Sequence, residues 1–299
     1  MVAVAAVSKS LALKKDLETE IGGLAVGVSR AGLFAGLSVL GFANGIVGRV
    51  QEGVVNEGIA TALFATFNIS AVVWVAFVAC PLMFLREQRQ PLLRTDMVVA
   101  AFVMMAFILP FWPLSWVALT GLAFYILRGS FTLRGRQPYS PMRSGAWILL
   151  ATTGTMFWGR VLLHSASGPV LGADAVLVGW LAGTETIGNT VRFADGDGYV
   201  WIAPACSSLA NISLAILCWV LFAQFRGVEW SFQNIGWCLL ACLSVVVINV
   251  TRISLMVLHQ EHFDLIHGTI GATVASWLSI AVVLGICMWG TRRARLSPT

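Results

Sequence analysis

Apolar runs of about 20 residues recur along the chain and are separated by short polar loops. Of the 299 residues, 58% are hydrophobic and only 11% are charged, which leaves too little polar surface for a soluble protein of this size. A helix of about 20 apolar residues crosses the hydrocarbon core of a bilayer. The pattern therefore predicts an all-α fold, a polytopic membrane helical bundle that forms a single domain over residues 1–299.

The positions of these runs predict about eight transmembrane helices. They cover approximately residues 30–49, 63–85, 96–111, 113–128, 145–164, 204–224, 235–257 and 269–290. Between the third and fourth runs, the sequence Pro110-Phe-Trp-Pro113 is compatible with a tight outer hairpin and with a kink in a re-entrant pair. We find no internal repeat and no low-complexity linker.

Positive charge is concentrated in alternate loops. Basic residues precede the first predicted span and follow the second, fourth, sixth and eighth: Lys14, Lys15, Arg86, Arg89, Arg94, Arg128, Arg134, Arg136, Arg143, Arg226, Arg292, Arg293 and Arg295. The other loops are acidic and carry Glu52, Glu57, Asp174, Glu185, Asp195, Asp197, Glu261 and Asp264. Because basic loops stay in the cytoplasm, we expect a cytoplasmic (inner) membrane protein whose acidic loops face outward. The net charge of +5 follows from this topology, so membrane lipid and not nucleic acid is the expected surrounding partner.

Residues 165–203 form the one long segment predicted on the outer side. Apolar residues recur at helical spacing from Pro169 to Gly183, which predicts a short helix lying in the outer interface. The stretch from Thr190 to Ile202 predicts a β-hairpin, with Asp-Gly-Asp-Gly at 195–198 as its turn. This hairpin would lead the chain directly into Cys206.

Cys206 lies at the start of a predicted span. Pro204 suits the first position of a helix, so we expect Cys206 about two residues inside the helix N-terminus, where the unpaired amides and the helix dipole favour the thiolate. The alternative is a small packing residue, as expected for the cysteines inside apolar runs: Cys80, Cys218, Cys238, Cys242 and Cys287. No CxxC pair is present, so neither a disulfide framework nor a zinc knuckle is predicted.

Arg252 lies within an apolar stretch near the end of the next predicted span. A guanidinium inside a membrane is costly unless it is paired, which makes this arginine a candidate functional residue. The alternative is a cation that snorkels to the outer interface. Asn249, one turn earlier on the same helical face, is expected to orient it.

Three histidines cluster before the last predicted span, namely His259, His262 and His267, with Glu261 and Asp264 nearby. They match no HExxH pattern and fall in a predicted loop, so we predict neither a metal site nor another cofactor. His267 leads directly into the span and is followed by Gly268 and Gly271, which permit close approach of the backbone. Spacing alone does not distinguish His267 from the other two histidines.

The three candidates occur in short motifs: Ala-Cys-Ser-Ser-Leu at 205–209, Asn-Val-Thr-Arg-Ile at 249–253 and His-Gly-Thr-Ile-Gly at 267–271. Their order, each at the outer end of a span, resembles the exosortase and archaeosortase family of integral-membrane cysteine transpeptidases. The preceding stretch, Gly-Tyr-Val-Trp-Ile-Ala-Pro-Ala-Cys, resembles the strand that leads into the cysteine of that family. The resemblance covers residues 165–290 and implies that Cys206, Arg252 and His267 are catalytic. The family usually has glycine two residues after the cysteine, often with a basic residue soon after, whereas this chain has Ser208 and Ala-Asn at 210–211.

This resemblance implies a membrane thiol protease or transpeptidase that functions in protein sorting. Its substrates would be exported proteins with a C-terminal tail made of a short proline-containing motif, an apolar helix and a basic end. Cys206 would attack the scissile carbonyl, His267 would act as base and acid, and Arg252 would stabilise the oxyanion or hold His267 and the substrate carbonyl. Water or an acceptor molecule would release the product.

Two functions from other classes remain open on the sequence. The first is a small-solute transporter or channel in which Arg252 coordinates an anion, although the chain has no inverted repeat and no pair of broken helices. The second is a structural or assembly subunit without catalytic chemistry.

Overall fold

The computed structural model describes residues 29–132, 140–195, 197–228 and 231–293. Several basic residues used in the predicted topology lie outside these ranges: Lys14, Lys15, Arg134, Arg136 and Arg295.

Helices make up most of the described chain, which confirms the predicted all-α bundle. They are α1 (Arg30–Glu57), α2 (Ile59–Phe64), α3 (Ala71–Leu85), α4 (Arg94–Ile108), α5 (Pro113–Thr132), α6 (Pro141–Thr153), α7 (Gly159–Ser165), α8 (Ser167–Ala182), α9 (Ser208–Phe225), α10 (Phe232–Leu258), α11 (Phe263–His267) and α12 (Thr269–Arg293). A π-helical turn over Gly154–Trp158 joins α6 to α7. The strands are β1 (Thr186–Ile187), β2 (Thr190–Arg192) and β3 (Tyr199–Trp201).

Within the described residues, five helices are long and apolar enough to cross a membrane, so the structure does not confirm the predicted count of eight. These five are α1, the continuous helix Pro141–Ser165, α9, α10 and α12. The predicted span 63–85 is interrupted because Thr66, Phe67 and Asn68 have φ values of 52–54°. Its helical part, α3, begins only at Ala71 and has 15 residues.

Two of the three apolar clusters in the described residues share α9. The first cluster contains α1, α3, α5 and α6, with fully buried side chains such as Phe34, Phe84 and Leu119. The second cluster joins α9 to α10 and α12 around Trp219 and Cys287. Because α9 contributes to both clusters, it holds the last two long helices against the rest of the bundle.

Arginines from separate loops lie at one end of this bundle. At the start of α1, Arg30 forms an ion pair of 3.0 Å with Asp96 at the start of α4. Tyr125, near the end of α5, also contacts Asp96, at 2.7 Å. Arg86, after α3, lies over the ring of Phe225 at the end of α9, 5.9 Å from its centroid. These contacts place the start of α9, and with it Cys206, at the opposite end.

A small cap covers that opposite end. It contains α8 and an antiparallel sheet of order β1-β2-β3, in which Val191 is opposite Val200. The predicted helix 169–183 and the antiparallel pairing within 190–202 are therefore confirmed, whereas Gly196 in the predicted turn lies outside the described residues. The sheet has one strand more than predicted. The inner face of the cap packs on α10 through buried aliphatic residues: Leu171, Val178, Val191, Val200, Ile202, Val250, Ile253 and Val257.

Two backbone donors fasten the tip of the hairpin to the end of α10. The amide of Ala194 donates to the carbonyl of Val257 at 3.0 Å, and the amide of Gln260 donates to the Asp195 carboxylate at 3.2 Å. Phe193 also meets Phe263 edge to face, with ring centroids 6.1 Å apart. The cap therefore has a defined position over the ends of α9 and α10 and beside α11.

Candidate active site

Cys206 ends a 3₁₀ turn that spans Pro204–Cys206, and it precedes α9. The prediction that Cys206 lies two residues inside the α-helix is wrong. Ser207 has extended backbone angles and is the N-cap of α9, because its hydroxyl accepts a hydrogen bond from the amide of Leu209 at 3.2 Å. The thiol therefore stands one residue before the N-cap, at the end of the strand-to-helix connection.

Two buried polar side chains hold the main chain around Cys206. The Asn249 amide, 6% exposed on α10, donates to the Cys206 carbonyl at 2.8 Å and to the Ser208 hydroxyl at 3.1 Å. The Asp174 carboxylate, 5% exposed on α8, accepts from the Ser208 amide at 3.0 Å. The cysteine turn is thus fixed from two helices. The expectation that Asn249 orients Arg252 is not met, since both of its hydrogen bonds go to the cysteine turn.

Asp174 is a site residue that the sequence analysis missed, because it was counted among the acidic charges of the outer loops. It lies on the buried face of α8 with Leu171 and Val178. A carboxylate three residues after one core position and four before another is directed into the protein, where it needs a donor. That spacing was the signal available in the sequence.

Arg252 lies one turn after Asn249 on α10 and contacts the segment that carries His267. Its Nε donates to the carbonyl of Ile266 at 3.3 Å, and its Nη2 donates to the carbonyl of His267 at 3.2 Å. These carbonyls belong to the last turn of α11, where the carbonyl groups have no hydrogen-bond donors within the helix. The side chain therefore acts as a cap on α11. The snorkelling alternative does not explain why both donors engage this one short segment.

His267 is the last residue of α11, and it is an exposed residue. The imidazole stacks on Phe263, with centroids 5.2 Å apart and planes inclined by 9°. The chain then turns tightly into α12. A Cβ on Gly268 would overlap the carbonyl of Asp264, and one on Gly271 would overlap that of Ile266, which confirms the predicted close backbone approach.

Cys206 and His267 both line one cavity of about 480 Å³. Its other walls come from the hairpin, from α10 and from α11: Phe193, Tyr199, Val200, Trp201, Ile202, Ala203, Ile253, Met256 and Phe263. Arg252 does not line the cavity, but it donates a hydrogen bond to the carbonyl of His267, which does. Cys206 and His267 therefore line a predominantly apolar cleft, and none of the described residues that line it is a carboxylate.

The other two histidines contact each other and do not line this cavity. The rings of His259 and His262 meet edge to face at 5.8 Å, and His262 lies 3.5 Å from the carboxylate of Glu261. In the described part of the chain, no group of three His, Cys, Asp or Glu side chains is placed to hold a metal ion. Of the three histidines that spacing left equivalent, only His267 lines the cavity with Cys206.

No family model, curated protein or solved structure matches the chain.

Proposed function

We propose that this protein is a membrane-embedded cysteine protease or transpeptidase of exosortase type. It cleaves the C-terminal sorting tail of exported proteins at the outer face of the cytoplasmic membrane. The observation that supports this proposal best is the cavity shared by Cys206 and His267, which are carried by different segments at the end of the bundle opposite Arg30 and Arg86. A nucleophile and a base that face one cleft are the minimum that acyl transfer needs.

The reaction proceeds in two acyl-transfer steps. His267 takes the proton of the Cys206 thiol, and the sulfur adds to the carbonyl carbon of the scissile peptide bond. When the tetrahedral intermediate collapses, the C–N bond breaks, and the imidazolium gives its proton to the departing amine of the tail. The exported protein is then held as a thioester. Water or an acceptor amine or hydroxyl loses a proton to His267 and attacks this thioester, and the sulfur leaves and recovers that proton.

Arg252 is the positioning residue of this proposal. Of its two predicted roles, oxyanion stabilisation and support of His267, the hydrogen bonds to the carbonyls of residues 266 and 267 favour support. A planar guanidinium holds two adjacent carbonyls in a fixed relation, which restricts the direction of the imidazole. Asn249 restrains the cysteine turn from the same helix.

The proposed topology has eight crossings. The five long helices are joined by α3, α4 and α5, and every charged loop then keeps the side that the positive-inside rule assigns to it. Helices α3 and α4 have 15 residues each and span about 22 Å, so the turns at their ends also enter the membrane region. The cap, formed by α8 and the three strands, covers the outer end and gates lateral entry of the substrate tail.

A comparison of Cys206→Ser with wild type tests this function. The C-termini of exported proteins are identified by mass spectrometry in cells that make either form at equal membrane abundance. Proteins that lose an apolar, basic-ended tail in wild type should keep it in the variant. Cys242→Ser, on α10, is the matched control and should process normally. An identical set of C-termini in both strains would reject the enzyme and favour a structural subunit.

The transporter alternative has less support. An anion-coordinating Arg252 would direct its donors toward a pathway, yet Nε and Nη2 both engage main-chain carbonyls. Normal growth of cells that carry Cys206→Ser, together with impaired growth of cells that carry Arg252→Gln, would identify a role for Arg252 that does not involve the thiol.

A further inference from the structure

In the described part of the chain, the edge of β3 that faces away from β2 has main-chain groups without hydrogen-bond partners. In an antiparallel pair, directly bonded residue pairs alternate with unbonded ones. Ile202 bonds to Asn189 at 2.9 Å, and Phe193 bonds to Gly198 at 3.2 Å, so Val200 and Val191 form the bonded pair between them. The N–H and C=O groups of Tyr199 and Trp201 therefore point away from β2. No hydrogen bond joins them to any other residue in the described part of the chain.

This edge belongs to the cavity of the candidate active site. Tyr199 and Trp201 both line the cavity and are 51% and 61% exposed, whereas Val200 between them is buried against α10. After Trp201 the chain passes through Ala203 and reaches Cys206 at the end of the next turn. A strand edge with available donors and acceptors thus leads directly to the thiol.

We propose that the residues immediately before the scissile bond bind as an extended strand parallel to β3. This inference rests on the proposed function and specifies how its substrate is held. The substrate residue opposite Val200 donates its N–H to the carbonyl of Tyr199, and its carbonyl accepts from the N–H of Trp201. This is the hydrogen-bond pattern of two parallel strands. These main-chain hydrogen bonds position the peptide and do not depend on the identity of its side chains.

The parallel direction follows from the course of the chain. The segment from β3 through the turn at Cys206 into α9 runs from the cap into the bundle. A substrate aligned with it places an extended segment along β3, its scissile carbonyl near Cys206 and its apolar tail beside α9. An α-helix uses its own main-chain donors and acceptors, so the cleaved bond lies outside the apolar helix of the tail. The apolar walls and the lack of a lining carboxylate favour small or apolar residues in the paired segment.

A peptide reagent that reacts with thiols tests the pairing. Acetyl-tetra-alanyl chloromethyl ketone alkylates Cys206 from the acyl side, and iodoacetamide alkylates the same thiol without a peptide. Rates are measured by mass spectrometry on the full-length protein in nanodiscs, and the peptide rate is divided by the iodoacetamide rate. This ratio stays defined even when His267 does not activate the thiol.

Four singly N-methylated forms of the peptide provide the decisive series on the wild-type protein. Methylation should lower the ratio by about fivefold or more at alternate positions only, since every second N–H faces β3. Equal effects at all four positions would overturn the proposal. If the four N-methylated peptides gave equal ratios and Trp201→Pro dissociated a dimer of the protein, the edge of β3 would instead be assigned to a second copy of the chain.

A pair of variants gives an independent result. Trp201→Pro removes the outward N–H, and the bonds to β2 remain because that N–H does not face β2. Trp201→Ala removes the same side chain and keeps the N–H. The proline variant should show a ratio about fivefold below that of the alanine variant. Equal ratios would contradict the pairing. Failure of the proposed function has a different signature, namely iodoacetamide rates at Cys206 that His267→Ala leaves unchanged.

Discussion

Replacing Arg252 with lysine tests whether the arginine positions the histidine segment. The guanidinium makes two hydrogen bonds, of 3.3 and 3.2 Å, to consecutive carbonyls at the end of α11. Lysine keeps the charge, but its single ammonium lacks the planar pair of donors, so we expect one of the two bonds to be lost. A hydrogen bond from a charged donor contributes about 1.5–3 kcal/mol. The aligned state of α11 should therefore become about 10- to 150-fold less populated relative to misaligned states.

Two assays follow this change. Tail cleavage should fall about 10- to 150-fold at matched membrane abundance, a range set by the lost hydrogen bond. Hydrogen exchange of the amides from Phe263 to Gly268 should accelerate, because the C-terminal carbonyls of α11 lose part of their cap. The exchange measurement reports positioning without reference to turnover. Arg226→Lys, at the opposite end of the bundle, is the control and should change neither quantity.

Near-normal cleavage by Arg252→Lys would refute this reasoning. A cation that only snorkels to the interface tolerates lysine, since its long side chain reaches the same depth. The catalytic group would then be reduced to a dyad of Cys206 and His267. Loss of cleavage with unchanged exchange in α11 would return Arg252 to oxyanion stabilisation, the role that its observed hydrogen bonds favour less.

Three further predictions concern the nucleophile, its anchor and the topology. A variant that retains Cys206 as its only cysteine should process tailed proteins normally, and restoration of a dead variant by a second cysteine would contradict a single nucleophile. Asn249→Ala should lower the free energy of unfolding by about 1–3 kcal/mol, because it leaves the buried Ser208 hydroxyl and the Cys206 carbonyl without their donor; an unchanged denaturation midpoint in detergent would argue against this anchor. Reporters active on one side of the membrane should place the loops 86–95 and 128–144 in the cytoplasm, whereas a cytoplasmic signal from 165–203 would place the site on the wrong face and reject the sorting function.

The cap could be predicted because its signals are local. Alternating apolar residues and the Asp-Gly-Asp-Gly turn at 195–198 specify a hairpin, and the helical spacing over 169–183 specifies α8. The third strand was not predicted, since β1 has only two residues and depends on its pairing with β2. Such a short strand carries no pattern of its own.

Helix boundaries were less predictable than the apolar runs. The hydropathy of the run 63–85 does not reveal the turn at 66–68, because its residues also occur within helices. The run was therefore expected to form one continuous helix. At Cys206, a proline that suits the first position of an α-helix also suits a 3₁₀ turn, and the hydroxyl of Ser207 decides where α9 begins. The apolar run that contains α9 was therefore predicted, but the predicted position of the thiol relative to the start of that helix was wrong.

The contacts that assemble the site depend on tertiary structure. The sequence placed Asn249 and Arg252 on one face of one helix and assigned them to each other. In the structure they serve two different segments, the cysteine turn and the last turn of α11. Only the packing of these segments against α10 shows which partner each side chain finds. The same packing separates His267 from His259 and His262.

Helix α10 therefore sets the relation between Cys206 and His267, the proposed nucleophile and base. Asn249 and Arg252 are three residues apart on it, so a rotation or shift of α10 displaces the supports of Cys206 and His267 together. Its orientation is fixed below the site by Val245 in the bundle core and above it by Ile253 in the core of the cap. A helix packed on both sides holds the two anchors more rigidly than separate loops would. Cys206 and His267 themselves lie on a 3₁₀ turn and on a five-residue helix, so their positions depend on these two anchors.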